Sequence, residues 1–309
     1  MRQSSHEPQR SSPKRCRVGP CEAAGKSEGD QPAIQRTLPL LRDGAAALSP
    51  VKIEAFQEIR SEGRIDVYSW KVPLSRPTKD IDLLGRLNNN IENIVAVMQD
   101  VCGQSVEPDG FDFDPRSIEA TNIVEYAEYG GIRVIVKAKF LANAKVLIQL
   151  DIGFGDVIVP NEISTTYPTI LDFPAPILKG YSMESAIAEK FDAMAHRGMV
   201  NSRMKDFFDI WFLSRNFAFG GAVLADAIAA TFENRGRAIR ADPVCFSAAF
   251  AKSKDSQWQT FLRRGRLKHV LQDFQEIVSG VAAFLKPIAI ALSEKKGFKE
   301  TWKPNGPWM

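Results

Sequence analysis

Residues 132–140 and 145–153 constrain the fold more than any other part of the chain, because apolar and polar side chains alternate through both. In the first stretch Ile132, Val134, Val136, Ala138 and Phe140 share one face; in the second Val146, Ile148, Leu150 and Ile152 do. A period of two is that of a half-buried strand, so this region is β structure. A loop around 142–144 turns one stretch into the next. The other face of the second strand carries Leu147, Gln149 and Asp151. An acid at the end of an otherwise apolar strand is a poor packing choice. It is either a site carboxylate or a strand-end acid entering the turn at Gly153–Gly155.

A shorter strand pattern upstream carries two more acids. In the stretch Arg76-Pro77-Thr78-Lys79-Asp80-Ile81-Asp82-Leu83-Leu84, Asp80 and Asp82 fall on one strand face and Ile81 and Leu83 on the other. Their Cα atoms then lie roughly 6.5–7 Å apart. Two carboxylates so placed repel each other unless a cation neutralises them. Hard oxygen ligands suit Mg²⁺, which takes one or two protein carboxylates and keeps positions for water and substrate phosphates. Metal-assisted phosphoryl or nucleotidyl transfer is one reading. Two solvated acids on an edge strand are the other.

Around these strands the pattern divides the chain. Residues 1–50 are rich in Ser, Pro, Gly, Gln and mixed charge, with hardly any aliphatic periodicity, and are expected to form a disordered tail. Residues 51–175 form an α/β core. Within it we expect a helix over 51–62, a short strand over 65–70, a helix over 88–101, a turn-rich linker over 108–115 and a hairpin turn at Gly130-Gly131. An extended loop covers 160–176. Residues 176–309 are expected to be helical.

The first helix of that part starts at Ser182, a good N-cap. Ile187, Phe191 and Met194 make its buried stripe, and Lys190 beside them either points into a cleft or is solvated. In the next helix Arg203, Asp206 and Asp209 recur every three residues, with Lys205 among them: a functional charged face or a salt-bridge ladder. Further helices follow through 222–232, 246–251 and 258–278, and a buried C-terminal helix is expected to break at Pro287. Arg263, Arg264, Arg266 and Lys268 form a basic cluster that either meets a phosphate backbone or is solvated surface.

Composition narrows the chemistry. The 309 residues are 44% hydrophobic and 25% charged, a soluble globular profile, and the net charge of +3 is too small to argue nucleic-acid binding. Four scattered cysteines complete no zinc site, and reduced thiols in a cytoplasmic protein are the economical reading. Three histidines leave little material for Ser-His or His-metal catalysis, so carboxylates and cations must carry any reaction. No stretch reads as a secretory signal. The most apolar run, 277–292, contains Lys286 and Pro287 and is shorter than the ~20 residues a spanning helix requires, so no membrane association is expected.

Taken in order, the segments RPTKDIDL, LIQLDIGFGD, YSMESAIAEKFDAMAHRG and NSRMKDFFDI resemble the AbiEii/AbiGii-type toxin nucleotidyltransferases, members of the DNA polymerase β-like nucleotidyltransferase superfamily. The resemblance runs from about residue 73 to 212. It implies a mixed α/β (α+β) nucleotidyltransferase core followed by a helical domain. By position it implies that Asp80, Asp82 and Asp151 are metal-binding and catalytic acids. Lys190 would lie near nucleotide phosphates, with Arg203, Lys205, Asp206 and Asp209 on a helix closing the site and Arg76 ahead of the Asp strand. It also implies one or two Mg²⁺ ions, a nucleoside triphosphate donor, a bacterial toxin–antitoxin role with a cognate antitoxin, and RNA, tRNA included, as acceptor.

One element of the family pattern is missing. A Gly-Ser or Gly-Gly turn that cradles the triphosphate usually precedes the Asp strand, whereas residues 62–70 read Glu-Gly-Arg-Ile-Asp-Val-Tyr-Ser-Trp. The alternative to an active transferase is therefore an impaired relative serving as an antitoxin- or RNA-binding module. A haloacid-dehalogenase-like phosphatase fits poorly, because it leaves the residues from Lys190 to Asp209 unexplained.

Overall fold

A computed structural model of the protein describes residues 59–60, 80–104, 111–123, 130–140, 144–166, 177–267 and 270–309. The expected tail over 1–50, the strand over 65–70, Arg76 and the region searched for the Gly-Ser turn lie outside the described residues.

The alternating stretches become the two longest strands. These are β5 (Gly131–Phe140) and β6 (Ala144–Phe154), paired antiparallel from Ile132↔Ile152 to Phe140↔Ala144. Their apolar faces are buried: Ile132, Val134, Val136 and Ala138 on β5, and Ile148, Leu150 and Ile152 on β6. The Asp strand, β2 (Asp80–Gly85), lies parallel to β6 on its other side. With β1 (Ile59–Arg60), β3 (Phe111–Phe113) and β4 (Glu119–Ile123) the sheet is mixed and six-stranded, in the order β1-β2-β6-β5-β3 with β4 also on β5.

Helix α1 (Ile91–Cys102) covers one face of this sheet. Its N-cap is Asn90, whose side chain accepts the Asn93 N–H at 3.0 Å. Ile94, Val97, Met98 and Val101, spaced three and four apart, pack on Ile81, Leu83 and the apolar faces of β5 and β6. A single fully buried aliphatic side chain contributes about 1.5–3 kcal/mol, so this shared face accounts for the order of the sheet. The face carrying Asp82, Gln149 and Asp151 is the one α1 leaves uncovered.

A two-stranded hairpin of β7 (Ile163–Thr166) and β8 (Ile177–Gly180) leads to the helical layer. This comprises α2 (Met183–Arg197), α3 (Met204–Asn216), α4 (Gly221–Asn234), α5 (Ala248–Gly265) and α6 (Phe274–Ser293). They enclose a second core of Phe191, Phe207, Phe208, Ile228, Phe250, Trp258, Phe274 and Phe284, among others. The chain ends on it: β10 (Thr301–Trp302) pairs with β9 (Phe219–Gly220), and Trp302 Nε1 donates to Ser214 O at 2.6 Å.

Several local expectations are corrected. Ile59 and Arg60 pair antiparallel with Gly85 and Leu84, so the helix expected over 51–62 does not extend through them. Apolar residues spaced two and then three apart fit either period there. The linker expected over 108–115 contains β3, where Phe111 and Phe113 alternate around exposed Asp112. Ile123 pairs with Gly131, so residues 124–130 connect β4 to β5 and the two glycines are not the turn. The loop expected over 160–176 contains β7, whose β-branched Ile163, Thr165 and Thr166 favour a strand.

The helix expected over 258–278 is two helices. Arg266 caps α5 in the left-handed region (φ 53), and Asp273 caps α6, accepting the Gln275 N–H at 2.8 Å. Finally, α6 does not break at Pro287. Its 20 residues are long and apolar enough to cross a membrane, yet Phe274, Ile277, Val278, Val281, Phe284, Leu285 and Ile288 are buried in the helical core. Proline removes the N–H that would bond Ala283, and Trp308 Nε1 donates to the adjacent Phe284 carbonyl at 2.8 Å.

Candidate functional site

Parallel pairing of β2 with β6 sets Asp82 opposite Asp151 and Asp80 opposite Gln149. Neighbouring strands lie about 4.8 Å apart, so two acids separated by 69 positions in the chain become adjacent on one sheet face. Both are half-buried. The antiparallel partner of Asp151 on β5 is Arg133. Its guanidinium grips the carboxylate at both oxygens, Nε to Oδ1 at 2.8 Å and Nη2 to Oδ2 at 2.7 Å, and Gln149 Nε2 donates at 3.2 Å. Such a bidentate pair fixes the orientation of the acid as well as its charge. Sequence reading missed Arg133, although it stands on the face of β5 opposite the apolar one.

This donor set answers which acids fit a divalent cation. Asp82, with Asp80 two positions before it on the strand, suits an ion that asks for only one or two protein carboxylates. Asp151 stands beside them with its oxygens held by Arg133 and Gln149, and a carboxylate so held keeps lone pairs for a cation. Among the described residues, no group of three or more His, Cys, Asp or Glu converges to hold a metal.

Lys190, Arg203, Asp206 and Asp209 form a buried cluster between α2 and α3. Ser182 starts α2, accepting the Ser185 N–H at 3.1 Å, and the Ser182 and Ser185 hydroxyls both donate to Val159 O. From there Lys190 reaches α3, where Nζ lies 2.9 Å from Asp209 Oδ2 and 4.0 Å from Asp206 Oδ1. Arg203 Nε donates to Asp206 Oδ2 at 2.6 Å, and its own N–H to Asn201 Oδ1 at 2.9 Å. Asp206 and Asp209 are fully buried, and the Lys190 side chain is only 10% exposed. Lys190 is therefore neither a solvated lysine nor open to a cleft here. Lys205 is half-buried on the same helix. Asp206 Oδ1 and Asn201 Nδ2 are buried without a hydrogen-bond partner among the described residues.

A third cluster joins the two layers, and no sequence spacing announced it. Arg235, just beyond α4, contacts Asp192 (Nη1–Oδ2 2.6 Å), Glu189 and Asp156 (Nη2–Oδ1 3.4 Å), while Arg237 also meets Asp192. Tyr181 donates to Asp156 Oδ2 at 2.9 Å, and Asn234 Nδ2 to Gly155 O at 2.9 Å. Burial lowers the Arg235 pKa, but the charges of Glu189, Asp192 and Asp156 outweigh it and hold the group above its ordinary value. Asp156 and Gly155 follow β6 directly, so this cluster fastens the end of the acid-bearing strand to the helical layer. Beside it a cleft of about 820 Å³ opens at the C-terminal ends of β2 and β6.

A mixed sheet bearing paired acids, with a helical layer after it, is the architecture expected of a nucleotidyltransferase. The family model of the nucleotidyl transferase AbiEii toxins of type IV toxin–antitoxin systems matches residues 69–279, and the chain belongs to that family. Among solved structures it is similar to MenT4, a nucleotidyltransferase toxin from Mycobacterium tuberculosis. The identity is 13% and the TM-score 0.43, over 84% of this chain and 94% of that one. Comparison with curated proteins gives no match.

Proposed function

We propose that this protein is a Mg²⁺-dependent toxin that transfers a nucleotide from a nucleoside triphosphate to an RNA acceptor, tRNA included, and is opposed by a cognate antitoxin. The observation that supports this most is the register setting Asp82 beside Asp151 on the uncovered sheet face, within the family-matched region. Asp80 and Asp82 would hold the cation, which when bound polarises the α-phosphate and neutralises developing charge. Asp151, held by Arg133, is oriented beside Asp82 to take the proton of the acceptor hydroxyl. That oxygen bonds to the α-phosphorus as the bond to the bridging oxygen breaks and pyrophosphate leaves. Lys190 with Asp209 locks α2 to α3, and Arg203 with Asp206 braces the start of α3. Lys205 and Arg76 are assigned to the triphosphate.

The test is label transfer from each nucleoside triphosphate to total RNA in the presence of Mg²⁺, comparing the protein with Asp82→Asn. Transfer that disappears in the variant supports the reading. No transfer by the folded protein overturns it in favour of an antitoxin- or RNA-binding module.

A further inference from the structure

We infer that a second pocket, set in the helical layer, is a binding site for a small apolar monocarboxylate. The inference stands independently of the nucleotidyltransferase reading. One face of α3 supplies most of the pocket wall: Phe208, Trp211, Phe212 and Arg215 recur at i, i+3, i+4 and i+7 and so form a single stripe. Asp206 and Asp209, which meet Arg203 and Lys190, lie on another face of the same helix, so the pocket is separate from that cluster. Asn216 ends α3, Val270 comes from the link between α5 and α6, and Asn305 comes from the C-terminal segment. Asn305 stands in the left-handed region (φ 71), which asparagine tolerates, and its N–H donates to Ser214 O at 3.1 Å. That bend folds the end of the chain against the last turn of α3.

The lining specifies the occupant. Phe208, Phe212 and Val270 are buried and form an apolar floor, with half-buried Trp211 beside them. Arg215 is the single charged residue of the lining, which contains no carboxylate. Its guanidinium lies 5.3 Å from the centre of the Trp211 ring. Among the described residues it makes no ion pair or hydrogen bond, so its five N–H donors remain available. The planar fork matches a carboxylate at two points. The Asn305 side chain makes no hydrogen bond among the described residues and offers two further donors. Asn216 already gives its Nδ2 to Phe212 O at 2.7 Å.

An anion with an apolar body complements both the charge and the walls. The space is about 280 Å³. That is room for about nine waters, which suits an occupant of about ten non-hydrogen atoms, such as a phenyl ring on a short acid. A phosphate monoester also pairs with arginine, but its second negative charge meets no second cation in this lining.

The probe is phenylpropionate, titrated into the full chain without nucleotide or metal and followed by calorimetry and saturation-transfer NMR. Saturable binding is expected. Phenylpropanamide, which has the same shape and no charge, should bind about tenfold more weakly or worse, and phenyl phosphate should also bind more weakly than the acid. Arg215→Gln is expected to weaken the acid by about tenfold and to leave the amide nearly unchanged. Arg215 is exposed, so this variant should keep the wild-type circular dichroism spectrum. Asn216→Trp, at the exposed end of α3, is expected to fill the pocket mouth and abolish binding of both compounds.

A free acid and the last residue of a polypeptide share this chemistry, and N-acetyl-phenylalanine separates them. Tighter binding than phenylpropionate assigns the pocket to a chain terminus, and weaker binding assigns it to a free acid. Absence of saturable binding by either acid at millimolar concentration overturns the inference. So does equal binding of acid and amide, tighter binding of phenyl phosphate, or an acid affinity that is unchanged in a folded variant.

Discussion

Replacing Arg235 with leucine tests how the acid-bearing strand is fastened to the helical layer. Two guanidinium groups, Arg235 and Arg237, face three carboxylates, Asp156, Glu189 and Asp192, and Arg235 touches all three. Glu189 and Asp192 are buried, and the Arg235 side chain is 17% exposed, so water does not screen the loss. Removing one member of a buried ion pair costs about 3–5 kcal/mol, because the partner charge is left uncompensated. Arg237 remains on Asp192, which places the expected loss for Arg235→Leu near the lower end, about 3 kcal/mol.

Urea unfolding followed by tryptophan fluorescence measures it, with Trp211, Trp258, Trp302 and Trp308 all in the helical layer. A loss of that size lowers the midpoint by about 1–3 M for an m-value of about 1–3 kcal/mol/M. Arg235→Lys keeps the charge but not the fork, and is expected to fall between the wild type and Arg235→Leu. A loss below about 1 kcal/mol for the leucine variant, the range of exposed pairs, would refute the reasoning.

Two further outcomes follow from burial and close packing. Burial raises the Cys102 thiol from 9.0 to about 11 and the Cys245 thiol from 9.0 to about 12. Above pH 9 the unfolded chain therefore releases protons that the native state keeps. Stability contributed below pH 9 is lost as pH rises toward 11–12, by about 1.4 kcal/mol per pH unit for each thiol. The double variant Cys102→Ala/Cys245→Ala should show a correspondingly flatter decline in unfolding free energy between pH 8 and 10, and an equal decline would contradict the assignment. A Cβ on Gly221 would lie 2.4 Å from the Glu300 carbonyl oxygen and 2.6 Å from the Phe298 ring. Gly221→Ala should therefore destabilise by about 1–3 kcal/mol in urea unfolding. A neutral result would mean that the C-terminal segment does not lie this close to α4.

What the sequence made legible was local. Alternation identified β5 and β6 and the correct buried face of each. Ser182 marked the start of α2, and Asp80 to Leu84 read as a strand. The rest depends on partners distant in the chain. The Asp82–Asp151 adjacency exists only through a parallel register, and Arg133 gains its meaning only across a strand pair. Arg235 meets Asp156 over a separation of 79 residues, which no spacing rule reaches. Pro287 was misread for the same reason: tertiary packing of Phe284, Leu285 and Ile288 outweighs one lost helical hydrogen bond. Lys190 and Asp209 were singled out on two separate helices, and their mutual pairing in the core became visible only in three dimensions.

The most direct test of the account compares RNA labelling from a nucleoside triphosphate radiolabelled at the α-phosphate with labelling from one radiolabelled at the γ-phosphate. Both are run with Mg²⁺ for the wild type and for Asp82→Asn. The account predicts label on RNA from the α-position alone, abolished in the variant while its fold is retained. Label arriving from the γ-position, or transfer that persists in Asp82→Asn, would contradict it.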